Sequence, residues 1–372
     1  MIRILYISLT EQVSGGEISV LNYITALDKT IYAPLVLCPK EGMLAAHARK
    51  DDIPVFFHRI PLLSKKKPWK YFQTLLWLVH FIKKERIDIL HGMNFYTCQM
   101  AGLAGYFAGI PVVIHGQNIF ENQKKEIYRN LLFLATKVIV CSKAVGKSLL
   151  PTLSENKIFL LHHAVSIPTV IPKKTFFLHK ELGLQKNTKL ISHIGLLEER
   201  KCQDIFISAA NHVSQKHKNT AFLIIGDSLF ATEAYKQKLY ALREKLQLQN
   251  TVFFLGLRKD ISHILPELDI VTLPSFNEPL AMVTLEACSF AKPYIGAYSG
   301  GTSEIIKDRE NGLLVQPKNV DELYTALCFM LENPKKAHQM GRNARKTIKE
   351  YCNLTKNSHI LTELYQSLLK KK

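Results

Sequence analysis

Val271–Val315 reads VTLPSFNEPLAMVTLEACSFAKPYIGAYSGGTSEIIKDRENGLLV. With Asp269 and Ile270 before it, the stretch starts as a short apolar run that Pro274 and Ser275 end. Pro279 suits the first turn of a helix. Beyond that helix come two more apolar runs, KPYIGAY and NGLLV. Their apolar residues are continuous rather than alternating, the mark of parallel strands covered on both faces by helices.

The same run-then-helix pattern extends outward in both directions. Upstream stand IRILYIS, APLVLCP, PVFFHRI, DILHGM, PVVIHG, KVIVCS and IFLLHHAV, and nearer the opening stretch KLISHIG, AFLIIG and TVFFLG. Many end at Gly, Ser or Pro, as tight strand-to-helix turns do. Two α/β domains follow, each a doubly wound parallel sheet. SIPTVIPKKT, Ser166 to Thr175, is the candidate hinge, with two prolines and two lysines. The expected division is residues 1–167, residues 176–355 and a closing helix at 356–372 that packs back on the first domain. Ligands of such sheets sit outside the carboxyl ends of the strands, so a central cleft faced by both domains is the expected site.

At 372 residues two cores are the default. The formal net charge of +18 is evenly spread. Up to Pro168 there are 20 Lys and Arg against 11 Asp and Glu, and after it 29 against 20. Such a field suits anionic partners. The seven cysteines are scattered and form no Cys-x-x-Cys pair, which argues against a disulfide framework and a zinc site and for a reducing compartment. MIRILYISLT is too short an apolar run for a signal peptide. No run approaches the roughly 18 apolar residues of a spanning helix. The expected location is cytoplasmic.

Glu278 falls in the loop before the helix of the opening stretch, and Glu286 lies about a turn and a half inside it. Phosphate repels two carboxylates, whereas sugar hydroxyls donate to them. The pair therefore reads as two grips on hydroxyls, one on each side of a diphosphate held at the helix's positive end. Gly15 and Gly16, in SLTEQVSGGEISVLNYI, fall where a loop turns into a helix; they are either a phosphate-approach turn or a plain structural one. His115, closing VVIHG, either donates to a substrate oxygen or is a satisfied loop histidine. In IGLLEERKCQD, Lys201 can reach a pyrophosphate as a mobile charge and Arg200 can clamp it, or both are solvated surface.

These motifs, in this order, resemble glycosyltransferase family 4, retaining nucleotide-sugar enzymes of GT-B fold. The resemblance spans nearly the whole chain: SGGE, IHG, IGLLEERK, LIIGD, FLG, LPSFNEPLAMVTLEA, SGGTSEII and NGLLV. It implies catalytic roles for His115 and Glu278, the former near the reacting centre and the latter on the donor sugar. It implies donor contacts for Gly15, Gly16, Arg200, Lys201 and the backbone of Pro279, Leu280 and Ala281, with Glu286 on the ribose. It implies no metal and no cofactor beyond the nucleotide-sugar donor. Two positions depart: Leu196 stands where the family has an arginine, and Cys202 where a glycine is frequent.

LSKKKPWKYFQTLLWLVHFIKKERIDIL, Leu63–Leu90, joins lysines to a strongly apolar helix. Trp69, Tyr71, Phe72 and Trp77 are candidates to enter an anionic membrane surface, the other reading being a helix that covers the sheet. The acceptor expected with it is a glycan or lipid-linked sugar of cell-surface polysaccharide or lipopolysaccharide. A nucleotide-sugar 2-epimerase of the same fold is the isomerase alternative; its Gly-Thr-Arg-Pro-Glu first loop is replaced by Ser-Gly-Gly-Glu. A nucleic-acid binder is the non-enzyme alternative, but no zinc spacing, aromatic RNA-binding signature or helix-turn-helix pattern supports it.

Overall fold

The computed structural model describes residues 1–62, 68–120, 131–228 and 233–370. It divides into two compact units, residues 1–165 with 353–372, and residues 166–352.

The first unit holds a sheet of β1 (Ile2–Ile7), β2 (Tyr32–Cys38), β3 (Val55–Phe57), β4 (Ile89–Gly92), β5 (Val112–Gly116), β6 (Lys137–Val140) and β7 (Ile158–Leu160). Its order is β3-β2-β1-β4-β5-β6-β7, with all neighbours parallel. The second holds β8 (Lys189–Ile194), β9 (Thr220–Ile225), β10 (Val252–Gly256), β11 (Ile270–Leu273), β12 (Tyr294–Ala297) and β13 (Leu313–Val315), ordered β10-β9-β8-β11-β12-β13. Every apolar run read from the sequence is one of these strands. In each sheet the order reverses beside the first strand, the doubly wound arrangement whose reversal point receives ligands.

Four helices matter in the first unit: α1 (Gly15–Thr25), α2 (Met43–Lys50), α3 (Pro68–Lys84) and α4 (Cys98–Ala108). Ser14 caps α1, and the Glu17 carboxylate accepts from the Ser14 amide at 3.1 Å and from its hydroxyl at 2.5 Å. That reciprocal capping box, rather than the glycines, starts the helix. α3 buries Tyr71, Thr74, Leu75, Leu78, Phe81 and Ile82, a three-and-four spacing that faces the core.

The chain leaves this unit after Val165 and returns at Asn353, and those two residues form a bridge. The last helix, Leu354–Leu369, lies against the first sheet: the Tyr365 hydroxyl meets His91 Nδ1 at 2.6 Å and the Tyr6 hydroxyl at 3.0 Å. The connecting segment is fastened to the second unit, where the Thr175 amide donates to Glu267 at 2.6 Å and Lys174 pairs with Asp269 at 3.0 Å.

Candidate functional site

In the second unit, three loops at the carboxyl ends of β8, β11 and β12 gather around one buried carboxylate. After β8 the chain passes Gly195 and makes a short 3-10 turn, Glu199–Lys201. Cys202 then takes a left-handed backbone, φ 60°, before the helix Gln203–Lys216. A residue with a Cβ is disfavoured there by roughly 1–2 kcal/mol, which gives a physical reason for the glycine frequent at this place in the family. Gly226, after β9, has φ 138°, and a Cβ on it would lie 2.0 Å from the Gly195 carbonyl oxygen. Only glycine lets those two loops come this close.

The turn delivers Arg200 and Lys201 to Glu278. One carboxylate oxygen of Glu278 accepts from Lys201 Nζ at 2.6 Å and from Arg200 Nη1 at 3.0 Å, and Arg200 Nη2 also pairs with Glu198 at 2.8 Å. The backbone of Glu278 is pinned as well. Its amide donates to Ser299 Oγ at 3.3 Å, and its carbonyl accepts from the Gly301 amide at 2.9 Å. Phe276 donates to the Arg200 carbonyl at 3.0 Å, closing the loop after β11 onto the 3-10 turn. Burial favours the neutral Glu278, but Lys201 and then Arg200 outweigh it and hold the carboxyl below its usual range. It is ionised at neutral pH.

His193, a fully buried β8 residue, supports Lys201 from below. Its Nε2 lies 2.8 Å from the Lys201 carbonyl oxygen, and burial drives its pKa down to about 4. Near pH 7 the ring is therefore neutral with its proton on Nε2, a fixed donor. Gln203 Nε2 donates to the Leu196 carbonyl at 2.7 Å and steadies the loop where the family arginine is missing.

Glu286 lies in the helix Met282–Ser289, whose preceding residues are Pro279, Leu280 and Ala281. It is half-buried, and its carboxylate has no hydrogen-bond or ion-pair partner among the described residues. Burial alone pushes it up to about 7. An acid left in that state accepts protons or hydroxyl donors readily, because no described residue satisfies it.

The first unit places its sequence-marked residues differently. Gly15 and Gly16 open α1; a Cβ on Gly16 would fall 1.6 Å from Gln117 Oε1. Gln117 Nε2 donates to the Gly16 carbonyl at 3.0 Å and to the Met93 carbonyl at 3.2 Å, tying three loops together. His115 is fully buried, with both ring nitrogens lacking a hydrogen bond among the described residues. Its ring lies 5.6 Å from that of His91 and 6.2 Å from that of His163. Burial, then those two histidines, hold it well below its usual pKa. It is a neutral ring inside the sheet's covering layer.

Of the four aromatic residues expected at a membrane surface, Tyr71 is buried and Trp77 is half-buried. The Tyr71 hydroxyl donates to the Gln99 carbonyl at 2.5 Å, and Trp77 stacks on His58 at 3.7 Å. Helical spacing puts Tyr71 on the buried face of α3 and Trp77, about 120° round the helix from it, on the flank. Trp69 and Phe72 remain outward, 55% and 60% exposed. The lysines at 65–67 lie outside the described residues.

Sequence reading did not single out His193, Gln203, Ser299 or Gln117. Ser299 and Gln203 lie inside quoted motifs, but each of the four is recognised only by what its side chain touches. Among the described residues one His–Cys–Glu group, His217, Cys328 and Glu332, has metal-like spacing. Its Glu332 oxygen is already held by Lys216 at 2.6 Å and His217 at 3.2 Å.

Paired doubly wound units define the GT-B class of glycosyltransferase architecture. The family description "Glycosyl transferases group 1" matches residues 174–347, and "Glycosyltransferase Family 4" matches residues 13–167. The chain belongs to glycosyltransferase family 4, and it is a glycosyltransferase. It is 26% identical over 381 residues to the Escherichia coli UDP-Gal:alpha-D-GlcNAc-diphosphoundecaprenol alpha-1,3-galactosyltransferase, covering 98% of this chain and 96% of that one. Among solved structures it is similar to Anabaena Alr3699/HepE in complex with UDP and glucose. The TM-score is 0.87 at 22% identity, over 99% of this chain and 100% of the other. It is also similar to the lipopolysaccharide outer core galactosyltransferase WaaB in its apo form, with TM-score 0.73, 17% identity, and 98% and 100% covered.

Proposed function

We propose that the protein is a retaining glycosyltransferase that moves a hexose from a uridine diphosphate sugar to a lipid-linked glycan of cell-surface polysaccharide or lipopolysaccharide. The observation that carries this reading is the cationic cluster of Arg200 and Lys201 on the buried Glu278 carboxylate, in a unit that also holds, at Glu286, a carboxyl without a partner among the described residues. The cations meet the diphosphate, with the backbone of Pro279, Leu280 and Ala281 at the mouth of the following helix. Glu286 accepts from the ribose hydroxyls, and Glu278, already oriented by its cations, accepts from the donor sugar. The similarity to proteins solved with UDP, and to an enzyme named for UDP-Gal, supports uridine as the base.

Departure of the nucleoside diphosphate leaves charge on its phosphate, which preorganised cations stabilise without a metal. A double displacement needs a free carboxylate beside the anomeric carbon. The Glu278 carboxylate is neutralised by two cations, which favours a front-face reaction: the acceptor oxygen bonds to the anomeric carbon as the bond to the phosphate breaks, and that phosphate takes the acceptor's proton. The family resemblance gives Gly15, Gly16 and His115 contacts with donor or acceptor. His115 would act there as a neutral ring.

We place the protein on an anionic membrane surface through α3. Its outward stripe runs Trp69, Phe72, Leu76, His80 and Lys83, apolar at one end and basic at the other. Leu76 is 71% exposed, and Tyr106 and Phe107 of the adjoining α4 are also exposed. No helix among the described residues is long and apolar enough to cross a membrane; the attachment we propose is peripheral.

A thermal-shift panel of UDP, GDP and ADP tests the donor; UDP raises the melting temperature by mass action, and silence from all three defeats the reading. Transfer from UDP-galactose that survives EDTA supports the metal-free step, and its loss removes it. Donor consumed by epimerisation without acceptor would instead favour the isomerase. Flotation with phosphatidylglycerol vesicles at low salt tests attachment, which Trp69→Ser with Phe72→Ser abolishes; unchanged flotation would exclude α3.

A further inference from the structure

In the first unit, the loops after β1, β2 and β3 line a cavity of about 650 Å³, to which Tyr96 beyond β4 also contributes. It therefore lies at the reversal point of the sheet, where such folds receive ligands. None of the residues marked by sequence motifs lines it.

Its walls are of two kinds. Lys40 and Arg59 supply two cations against one acid, Glu11, which Lys40 already meets at 3.4 Å. Arg59 has no hydrogen bond or ion pair among the described residues, so the whole guanidinium fork is uncommitted. The other wall is apolar, formed chiefly by Ile60, Leu62 and Tyr96. A free sugar would need several polar acceptors, and the single carboxylate present is engaged. A plain anion would have no use for the apolar side.

The apolar wall also leads outward. Leu62 precedes the start of α3 at Pro68 by six residues, a reach of at most ~20 Å. The Tyr71 hydroxyl bond to the Gln99 carbonyl pins the first turn of α3 to the start of α4, just after Tyr96. The first turn of α3, which carries the exposed Trp69 and Phe72, is thus fastened three residues along the chain from Tyr96 of the cavity lining.

We propose that this cavity binds the phosphate end of an amphipathic lipid phosphate or diphosphate. Arg59 grips the phosphate oxygens as a bidentate fork, Lys40 adds a second charge, and the Ile60–Leu62 wall takes the first carbons of the lipid chain as it passes toward the α3 face. The proposal rests on the reading of a lipid-linked acceptor, and it names the group by which that acceptor is held.

Titration of the full chain with farnesyl diphosphate, inorganic pyrophosphate and farnesol, each monitored by intrinsic fluorescence, tests it. Farnesyl diphosphate binds at least tenfold tighter than pyrophosphate, and farnesol does not bind. Arg59→Ala weakens farnesyl diphosphate at least tenfold, Arg59→Lys recovers part of the loss, and Leu62→Ser narrows the preference over pyrophosphate. Equal binding by wild type and Arg59→Ala, or equal affinity for pyrophosphate and farnesyl diphosphate, overturns the proposal. UDP titrated in parallel separates the failures. UDP binding that persists while the lipid arm fails removes this inference alone, whereas loss of UDP binding with the lipid arm intact removes the donor assignment and leaves the lipid-phosphate site standing.

Discussion

The two units share a strand order and treat the ends of their strands in opposite ways. In the first, the polar residues closing β4 and β5, His91 and His115, are fully buried, and burial keeps them neutral. Its glycine loop is occupied by a capping box and by Gln117. In the second, the corresponding loops carry full charges, two cations on one buried carboxylate, with a further carboxyl left unsatisfied. A doubly wound sheet thus prescribes where a site lies but not what it holds. The buried charge cluster that the proposed reading assigns to a nucleoside diphosphate lies in the second unit. The other keeps a partly apolar cavity.

The sharpest way to break that contrast is at Lys201. Lys201→Met leaves Glu278 buried with Arg200 alone, and we expect a loss of about 2 kcal/mol in unfolding free energy. UDP binding should fall a hundredfold or more. Denaturant unfolding and calorimetric titration measure the two effects, and unchanged UDP affinity would mean that the cluster is purely structural.

Glu286 gives a smaller and pH-dependent effect. Its pKa in the folded protein is raised from 4.5 to about 7, so its contribution to stability is fully present below 4.5 and is lost as the pH rises to about 7. Glu286→Gln should therefore match the wild-type melting temperature near pH 4.5 and exceed it above pH 7. The same variant should bind UDP about tenfold more weakly at pH 8, with the difference shrinking as the pH falls through about 7. Equal affinities at pH 8 would take the ribose away from this residue.

The smallest change belongs to the first unit. Ser14→Ala removes the cap of α1 and should lower stability by about 1 kcal/mol without altering UDP affinity. A large loss of UDP affinity would show that the SGGE loop contacts the donor after all, and the contrast between the units would weaken.

Much of this was legible from the residues in order. Each strand run could be read because a parallel strand is apolar on both faces, and a continuous run such as AFLII announces it. The division of α3 was also readable, since Tyr71, Leu75, Leu78 and Ile82 repeat at helical spacing and leave Trp69, Phe72 and Leu76 on the opposite side. Ser14 with Glu17 carried the capping signature as well, though the glycines between them drew attention to phosphate first.

The sequence by itself determined the class of fold, the strand ends at which ligands are met, and the acidic and basic residues available there, because burial periodicity and turn chemistry act between near neighbours. Only the tertiary structure decided that Lys201 meets Glu278 across 77 positions of chain, that Glu286 meets no partner among the described residues, and that Arg59 shares a cavity with Lys40, Leu9 and Tyr96. Those facts depend on which loops the sheet brings side by side. Desolvation and Coulomb energy follow from that spatial arrangement, not from order along the chain.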